Sequence, residues 1–146
     1  MVDRNTNEYI YAAAESRNIF CNVVDVTDLC TFIFPAIVSR GDVNIAISTS
    51  GTSPALAQNI KSKISDLVGP EYGKLANFLG KSRKKILEKI PDREERSKLF
   101  HQLVNSGAIE LFRRDRDSEA KLLLLKIIEE ELNESLVGSN INSEIK

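Results

Sequence analysis

The sequence has 146 residues, 42% of them hydrophobic and 28% charged, with a formal net charge of −1. These proportions are ordinary for a soluble globular chain of one domain, or of two small ones sharing a core. They exclude a global field that would draw the chain to nucleic acid or a membrane surface, and no apolar run nears the roughly 20 residues that span a bilayer. Met1-Val2-Asp3-Arg4-Asn5 lacks the basic and apolar regions of a signal peptide, so a cytoplasmic location is expected. Cys21 and Cys30 lie among apolar residues without CxxC spacing and are expected to be buried free thiols. The single histidine, His101, sits in a charged helical stretch, so neither a histidine metal cage nor a Ser-His-Asp triad is expected, and no metal ligand is assigned.

Residues 5 to 17 read as a helix with Tyr9, Ala12, Ala13 and Ala14 along one stripe, stopped at Asn18. Ile19-Phe20-Cys21-Asn22-Val23-Val24 is an apolar run with one polar break, the pattern of a strand buried on both faces of a parallel sheet. A loop from Asp25 to Thr31 leads to a second strand over 32–40, placed at an edge or bulged by Pro35. Gly41-Asp42 turns the chain into a returning strand over 43–48. A helix from Pro54 to about Leu67 follows, with Leu56, Ile60, Ile64 and Leu67 on one face.

Beyond Gly69-Pro70 the composition shifts to three helices, near 70–90, 92–105 and 116–135. Their stripes are Ile86, Leu87 and Ile90; Leu99, Leu103 and Val104; and Leu122, Leu125, Ile128 and Leu132. Residues 138–146 are polar and expected to be disordered. A buried strand at 19–24 needs neighbours on both sides, so the chain reads as starting partway through a larger sheet.

The turn between the second β-strand and its helix holds the densest chemistry. Ser48-Thr49-Ser50-Gly51-Thr52-Ser53-Pro54 combines hydroxyls, one glycine, an N-cap serine and a proline suited to the first helical position. Backbone N–H groups and hydroxyls at a helix N-terminus, the positive end of its dipole, suit an anion. A capped strand-to-helix turn without a ligand reads from the same residues. Asp25, at the carboxyl end of the apolar run, lies where ligands meet open α/β sheets and can act as a general base, or else caps the loop as Asp28 can.

Several stretches together resemble one family. Asp3-Arg4-Asn5 with Asn7, Ala13-Ala14-Glu15-Ser16-Arg17, Ile19 to Asp25, Phe32 to Arg40 and Ala46 to Pro54 are similar, in order, to siroheme synthase in its precorrin-2 dehydrogenase module. The resemblance implies an α/β fold with a partial Rossmann-like sheet remnant, then a dimerisation strand/helix segment and an all-α C-terminal domain. In this numbering those are a dinucleotide-binding part at 1–30, a dimerisation segment with the substrate loop at 31–68, and a helical domain at 69–137.

The implied activity is NAD-dependent oxidation of the tetrapyrrole precorrin-2 to sirohydrochlorin by a homodimer. In bifunctional members ferrous iron is then inserted as a substrate, held by the tetrapyrrole nitrogens. By the same resemblance Asp25 is catalytic, Asp3 and Asn22 face the cofactor, and Asn22, Arg40, Ser48, Thr49, Ser50, Gly51, Thr52 and Ser53 bind substrate, with Thr49 where the family has serine. Lys61 and the cluster Lys81, Arg83, Lys84 and Lys85 are further candidates for substrate carboxylates, though such a cluster also reads as a solvated helix face.

The first glycine is Gly41, so the Gly-rich loop that seats the NAD pyrophosphate is missing, and the chain reads as a fragment or shortened form. Two other readings stand beside this one. A non-catalytic dimerisation or tetrapyrrole-binding module accounts for the missing glycines, and a sugar-phosphate isomerase-type binding domain accounts for the hydroxyl-rich turn alone.

Overall fold

The computed structural model describes the backbone of residues 3–143 and the side chains of residues 3–133. Two units emerge: Met1–Val38 with Ile45–Asp66, and Ser39–Asn44 with Leu67–Lys146.

In the first unit, helix α1 (Arg4–Glu15) is built on alanines and ends as its sequence predicts. Asn18 takes the left-handed conformation at φ 53°. It donates its N–H to the Glu15 carbonyl at 3.0 Å while the Ile19 N–H reaches the Ala14 carbonyl at 2.9 Å. That pair of bonds satisfies carbonyls left open by the last turn.

The next segment departs from expectation. Residues 19–24 form no strand among the described residues, and Phe20 and Val24 are 81% and 79% exposed instead of buried. The segment runs antiparallel beside residues 30–34, joined largely through side chains. Thr31 donates its N–H to the Cys21 carbonyl at 2.8 Å. The Cys21 N–H donates to the Thr31 hydroxyl, the Val23 N–H to the Cys30 sulfur, and the Asn22 amide to the Phe32 carbonyl. A parallel strand buries both faces only between two neighbours. With one side-chain-mediated partner among the described residues, Ile19, Phe20 and Val24 stay in solvent while Cys21 is buried. Both cysteines are free thiols; Cys21 is buried as expected, whereas Cys30 is only half-buried, its sulfur bonded to the backbone of Val23 and Val26.

A 3-10 turn at Thr27–Leu29 and an irregular stretch lead to β1 (Ala36–Arg40), which pairs with β2 (Val43–Ile47) in a two-stranded sheet. The expected strand from residue 32 is shortened because Pro35, which has no N–H for the ladder, stands just before β1. The two-residue turn Gly41-Asp42 closes the hairpin, with Gly41 at φ +65°. Helix α2 (Pro54–Leu67) has the predicted bounds, but its buried residue is Ala57, whereas Leu56 and Leu67 are exposed.

The second unit is an all-helical bundle of α3 (Pro70–Lys89), α4 (Arg93–Val104), α5 (Ala108–Arg113) and α6 (Asp117–Ser143). Its core is Leu75, Ile86, Ile90, Leu99, Leu103, Ala108, Phe112, Ala120, Leu124 and Ile128. On α6 the buried stripe is Ala120-Leu124-Ile128, at four-residue spacing, while Leu122 and Leu125, like Leu87 of α3 and Val104 of α4, face solvent. The leucine-rich run offers two possible stripes, and the one headed by the small Ala120 packs inward. Helix α5 was not anticipated, since six residues show too little periodicity to read.

The buried carboxylate of Glu71 receives Arg113 through Nε and Nη2 at 3.1 and 2.9 Å. Burial alone would raise this carboxyl, but its own N–H, the Arg113 guanidinium and the Gly69 N–H outweigh that and hold it below the ordinary range. Lys74 bridges Asp115 and Asp117 at 3.2 and 2.8 Å. Of the tail expected from residue 138, the helix backbone continues to Ser143 and residues 144–146 lie outside the described residues.

Candidate functional site

The turn after β2 is built largely by its own hydroxyls. Thr49 Oγ1 accepts the Ser53 N–H at 3.2 Å and donates to the Ser53 carbonyl at 3.0 Å. The Thr52 N–H closes onto the Thr49 carbonyl at 2.9 Å, and the Ser50 N–H donates to Ser48 Oγ at 3.1 Å. Ser53 caps α2 by accepting the Leu56 N–H at 3.2 Å, as its sequence position predicts. Thus Ser48, Thr49 and Ser53 shape the turn. Among the described residues no protein group takes the hydroxyls of Ser50 and Thr52 or the N–H of Gly51, so these remain open to a guest.

Ser50 and Gly51 stand at φ +53° and +80°. This consecutive left-handed pair turns the chain sharply. Gly51 is needed for a second reason: a Cβ there would stand 2.6 Å from Ile33 Cδ1 and 3.0 Å from Thr27 Cγ2. The turn is therefore pressed onto the stretch that begins with Asp25, two residues before Thr27.

Asp25 is exposed and itself left-handed at φ 64°. Such a conformation is unfavourable for a non-glycine residue and is tolerated best by Asn and Asp. Asn22, three residues earlier, is committed to the Phe32 carbonyl at 2.9 Å and so ties the two extended segments together. Asp3 precedes α1 as its N-cap residue, with an exposed carboxylate that makes no capping bond.

Arg40 belongs to the other unit, where its Nε donates to the Val68 carbonyl at 2.9 Å and Nη1 to the Ser39 carbonyl at 3.0 Å. Asn22, Asp25 and residues 48–53 all belong to the first unit, in which Gly51 packs against Thr27 and Ile33. Lys81, Arg83, Lys84 and Lys85 lie on α3, where Arg83 covers the Phe100 ring at 5.5 Å and Lys84 pairs with Glu88 at 3.9 Å. One feature the sequence reading passed over is a ladder of three aromatic rings in the first unit. Phe20 and Phe32 meet edge-to-face at 5.8 Å, and Phe32 and Phe34 at 4.8 Å. The alternation of Phe32 and Phe34, opposite the aromatic residue of the preceding apolar run, was the available signal.

Three family models match in succession. "Putative NAD(P)-binding" covers residues 1–36, "Sirohaem biosynthesis protein central" covers 40–67, and "Sirohaem synthase dimerisation region" covers 71–128. The chain belongs to the siroheme synthase family. Siroheme synthase of Thioalkalivibrio sulfidiphilus is 33% identical over 139 residues, 95% of this chain and 28% of that protein. The Methylococcus capsulatus siroheme synthase is 36% identical over 85% of this chain and 26% of its own length. That of Zymomonas mobilis is 40% identical over 70% and 22%. The chain thus spans roughly a quarter of these curated relatives. Among solved structures, "SirC, precorrin-2 dehydrogenase" superposes with a TM-score of 0.58 at 22% identity, covering 88% of this chain and 60% of that one. This likeness shows a shared fold.

Within this siroheme synthase region, the segment matched to dinucleotide binding contains no glycine. A pyrophosphate is seated by a glycine-rich turn whose backbone approaches it closely at a helix N-terminus. Asp3-Arg4 at the start of α1 offers no such turn, so the residues present do not fit that part of NAD. Among the described residues no group of three or more His, Cys, Asp or Glu side chains is arranged to hold a metal ion. No helix among them is long and apolar enough to cross a membrane.

Proposed function

We propose that this chain serves siroheme synthesis by binding the tetrapyrrole precorrin-2, or its oxidised product sirohydrochlorin, in its first unit. The open donors of Ser50, Gly51 and Thr52 at the head of α2 receive ring carboxylates, and Asp25 stands at the ring's rim. The observation that carries this reading is the contact of Gly51 with Thr27 and Ile33, which sets the anion-suited turn beside the stretch carrying an exposed acid. Dehydrogenation of such a ring releases a proton, and iron insertion releases more from the ring nitrogens. Asp25, open to solvent and unpaired among the described residues, is the proton acceptor in both.

In the reaction as a whole NAD is the oxidant and ferrous iron a substrate. No hydride step is assigned to these residues, because they do not seat the dinucleotide. A homodimer is part of the proposal, supported by the match of residues 71–128 to the region named for dimerisation.

The test is titration of the chain with sirohydrochlorin, followed by the pigment's visible spectrum. A saturable spectral change is expected, weakening as salt screens the carboxylates and weakening further in Thr52→Val. An unchanged spectrum at high pigment concentration refutes the proposal.

A further inference from the structure

Asp25 sits on a loop that closes upon itself. It takes the third position of a turn over Val23–Val26, in which the Val26 N–H donates to the Val23 carbonyl at 3.2 Å and Asp25 stands at φ 64°. Two more turns follow, from the Leu29 N–H to the Val26 carbonyl and from the Cys30 N–H to the Thr27 carbonyl, both at 3.1 Å. These three bonds run along the loop one after another, and none joins its two ends. The Cys30 side chain does.

Its sulfur accepts the Val23 N–H at 3.2 Å and lies 3.4 Å from the Val23 carbonyl and 3.3 Å from the Val26 carbonyl. Val23 and Val26 are the first and last residues of the turn that holds Asp25. The S–H is shared between the two carbonyls while the sulfur lone pairs take the N–H.

We infer that Cys30 is a positioning residue for the siroheme reaction: its thiol ties both ends of the Val23–Val26 turn and so fixes where the Asp25 carboxylate stands. This rests on the role proposed above for Asp25 and adds the group through which that acid is held. Three features favour it.

The first is conformational. A left-handed backbone is unfavourable for a residue other than glycine and persists where the surroundings over-determine it. At Asp25 one turn bond and the Cys30 contacts supply that restraint.

The second is chemical. One atom here accepts an N–H and donates to a carbonyl, over contacts of 3.2–3.4 Å to three backbone groups. A hydroxyl could form the same bonds over a shorter reach, and an alkyl side chain none of them.

The third is the loop's second anchor. Thr27 packs against Gly51, so the loop is held from outside by the hydroxyl-rich turn and from inside by Cys30. A proton acceptor must stand within hydrogen-bond reach of the proton it takes, so losing one anchor lowers the rate before it lowers affinity.

The experiment places Cys30→Ala, Cys30→Val, Cys30→Ser and the control Thr31→Val in the whole enzyme, with circular dichroism confirming each fold. Turnover is followed as NAD-dependent formation of sirohydrochlorin. Cys30→Ala and Cys30→Val should lower kcat roughly ten-fold at unchanged KM, and Cys30→Ser should recover most of that loss. Thr31→Val removes the hydroxyl that takes the Cys21 N–H and leaves the turn intact, so its kcat should stay within about two-fold of wild type. In an Asp25→Asn background Cys30→Ala should lower kcat no further, because its effect passes through that acid. Amide hydrogen exchange gives a readout independent of turnover: Val23 should exchange about ten-fold faster in Cys30→Ala and as wild type in Thr31→Val.

Unchanged Val23 exchange in Cys30→Ala overturns the tie itself. Wild-type kcat in folded Cys30→Ala overturns the positioning role, and in Cys30→Val alone overturns it in favour of plain space-filling. A ten-fold fall that persists in the Asp25→Asn background shows that Cys30 acts elsewhere, and an equal fall in Thr31→Val shows a general loosening of the paired segments; either overturns the inference. Full turnover in Asp25→Asn removes the proposed role of the acid and the role of Cys30 with it.

Discussion

Replacing Gly51 by alanine tests the junction on which the site depends. Two penalties combine. At φ +80° an L-residue costs about 1–2 kcal/mol relative to its ordinary backbone. The new Cβ also falls 2.6 Å from Ile33 Cδ1 and 3.0 Å from Thr27 Cγ2. Both neighbours are side-chain tips, so they can give way, and overpacking of this kind costs about 1–3 kcal/mol. The total is about 2–5 kcal/mol.

Gly41 provides the internal control. It has φ +65°, but its nearest neighbour to an added Cβ is Gly73 Cα at 3.9 Å. Gly41→Ala should therefore incur only the backbone term, about 1–2 kcal/mol. Urea unfolding followed by circular dichroism, with slopes unchanged among variants, gives the comparison. The double mutant Gly51→Ala/Ile33→Val removes the colliding methyl and should recover about 1 kcal/mol beyond additivity. If Gly51→Ala costs no more than Gly41→Ala, or if trimming Ile33 brings no recovery, the turn is not pressed against the Asp25 stretch and the site reasoning fails.

Other consequences are open to measurement. Ser53→Ala removes the N-cap of α2 and should cost about 1 kcal/mol in urea unfolding, with Ser53→Gly costing less. Phe112→Ala opens the core of the helical unit and should cost about 3–5 kcal/mol. Glu71→Gln tests the ion pair with Arg113 through its pH dependence. The folded carboxyl is held below its unfolded value, so its contribution is complete above the ordinary carboxylate range and disappears as pH falls through the depressed value. Wild type should exceed the variant by about 1–2 kcal/mol at neutral pH, with the gap closing only below about pH 4; a gap that does not vary with pH would contradict the pairing. Asp25→Asn in the whole enzyme should lower turnover by about 10²–10⁴-fold while leaving pigment affinity unchanged.

Local rules carried much of this structure in the sequence. Asn18 stops α1 because a short polar side chain tolerates the left-handed turn. Ser53-Pro54 starts α2 because the serine supplies an acceptor and the proline gives up no needed donor. The hydroxyl-rich turn and Asp25 were legible as candidate chemistry from residue type alone. Tertiary contacts decided what such rules leave degenerate. Residues 19–24 have the pattern of a doubly buried strand, yet burial depends on neighbours, and among the described residues their one partner joins them mainly through side chains. The leucines of α6 permit two inward stripes, and packing chose the one headed by Ala120. Only the folded chain showed that Thr49 spends its hydroxyl on Ser53, that Gly51 touches Thr27 and Ile33, and that three phenylalanines form an exposed ladder. Each of these joins residues distant in sequence or commits a group with several possible partners, and no periodicity encodes which partner is taken.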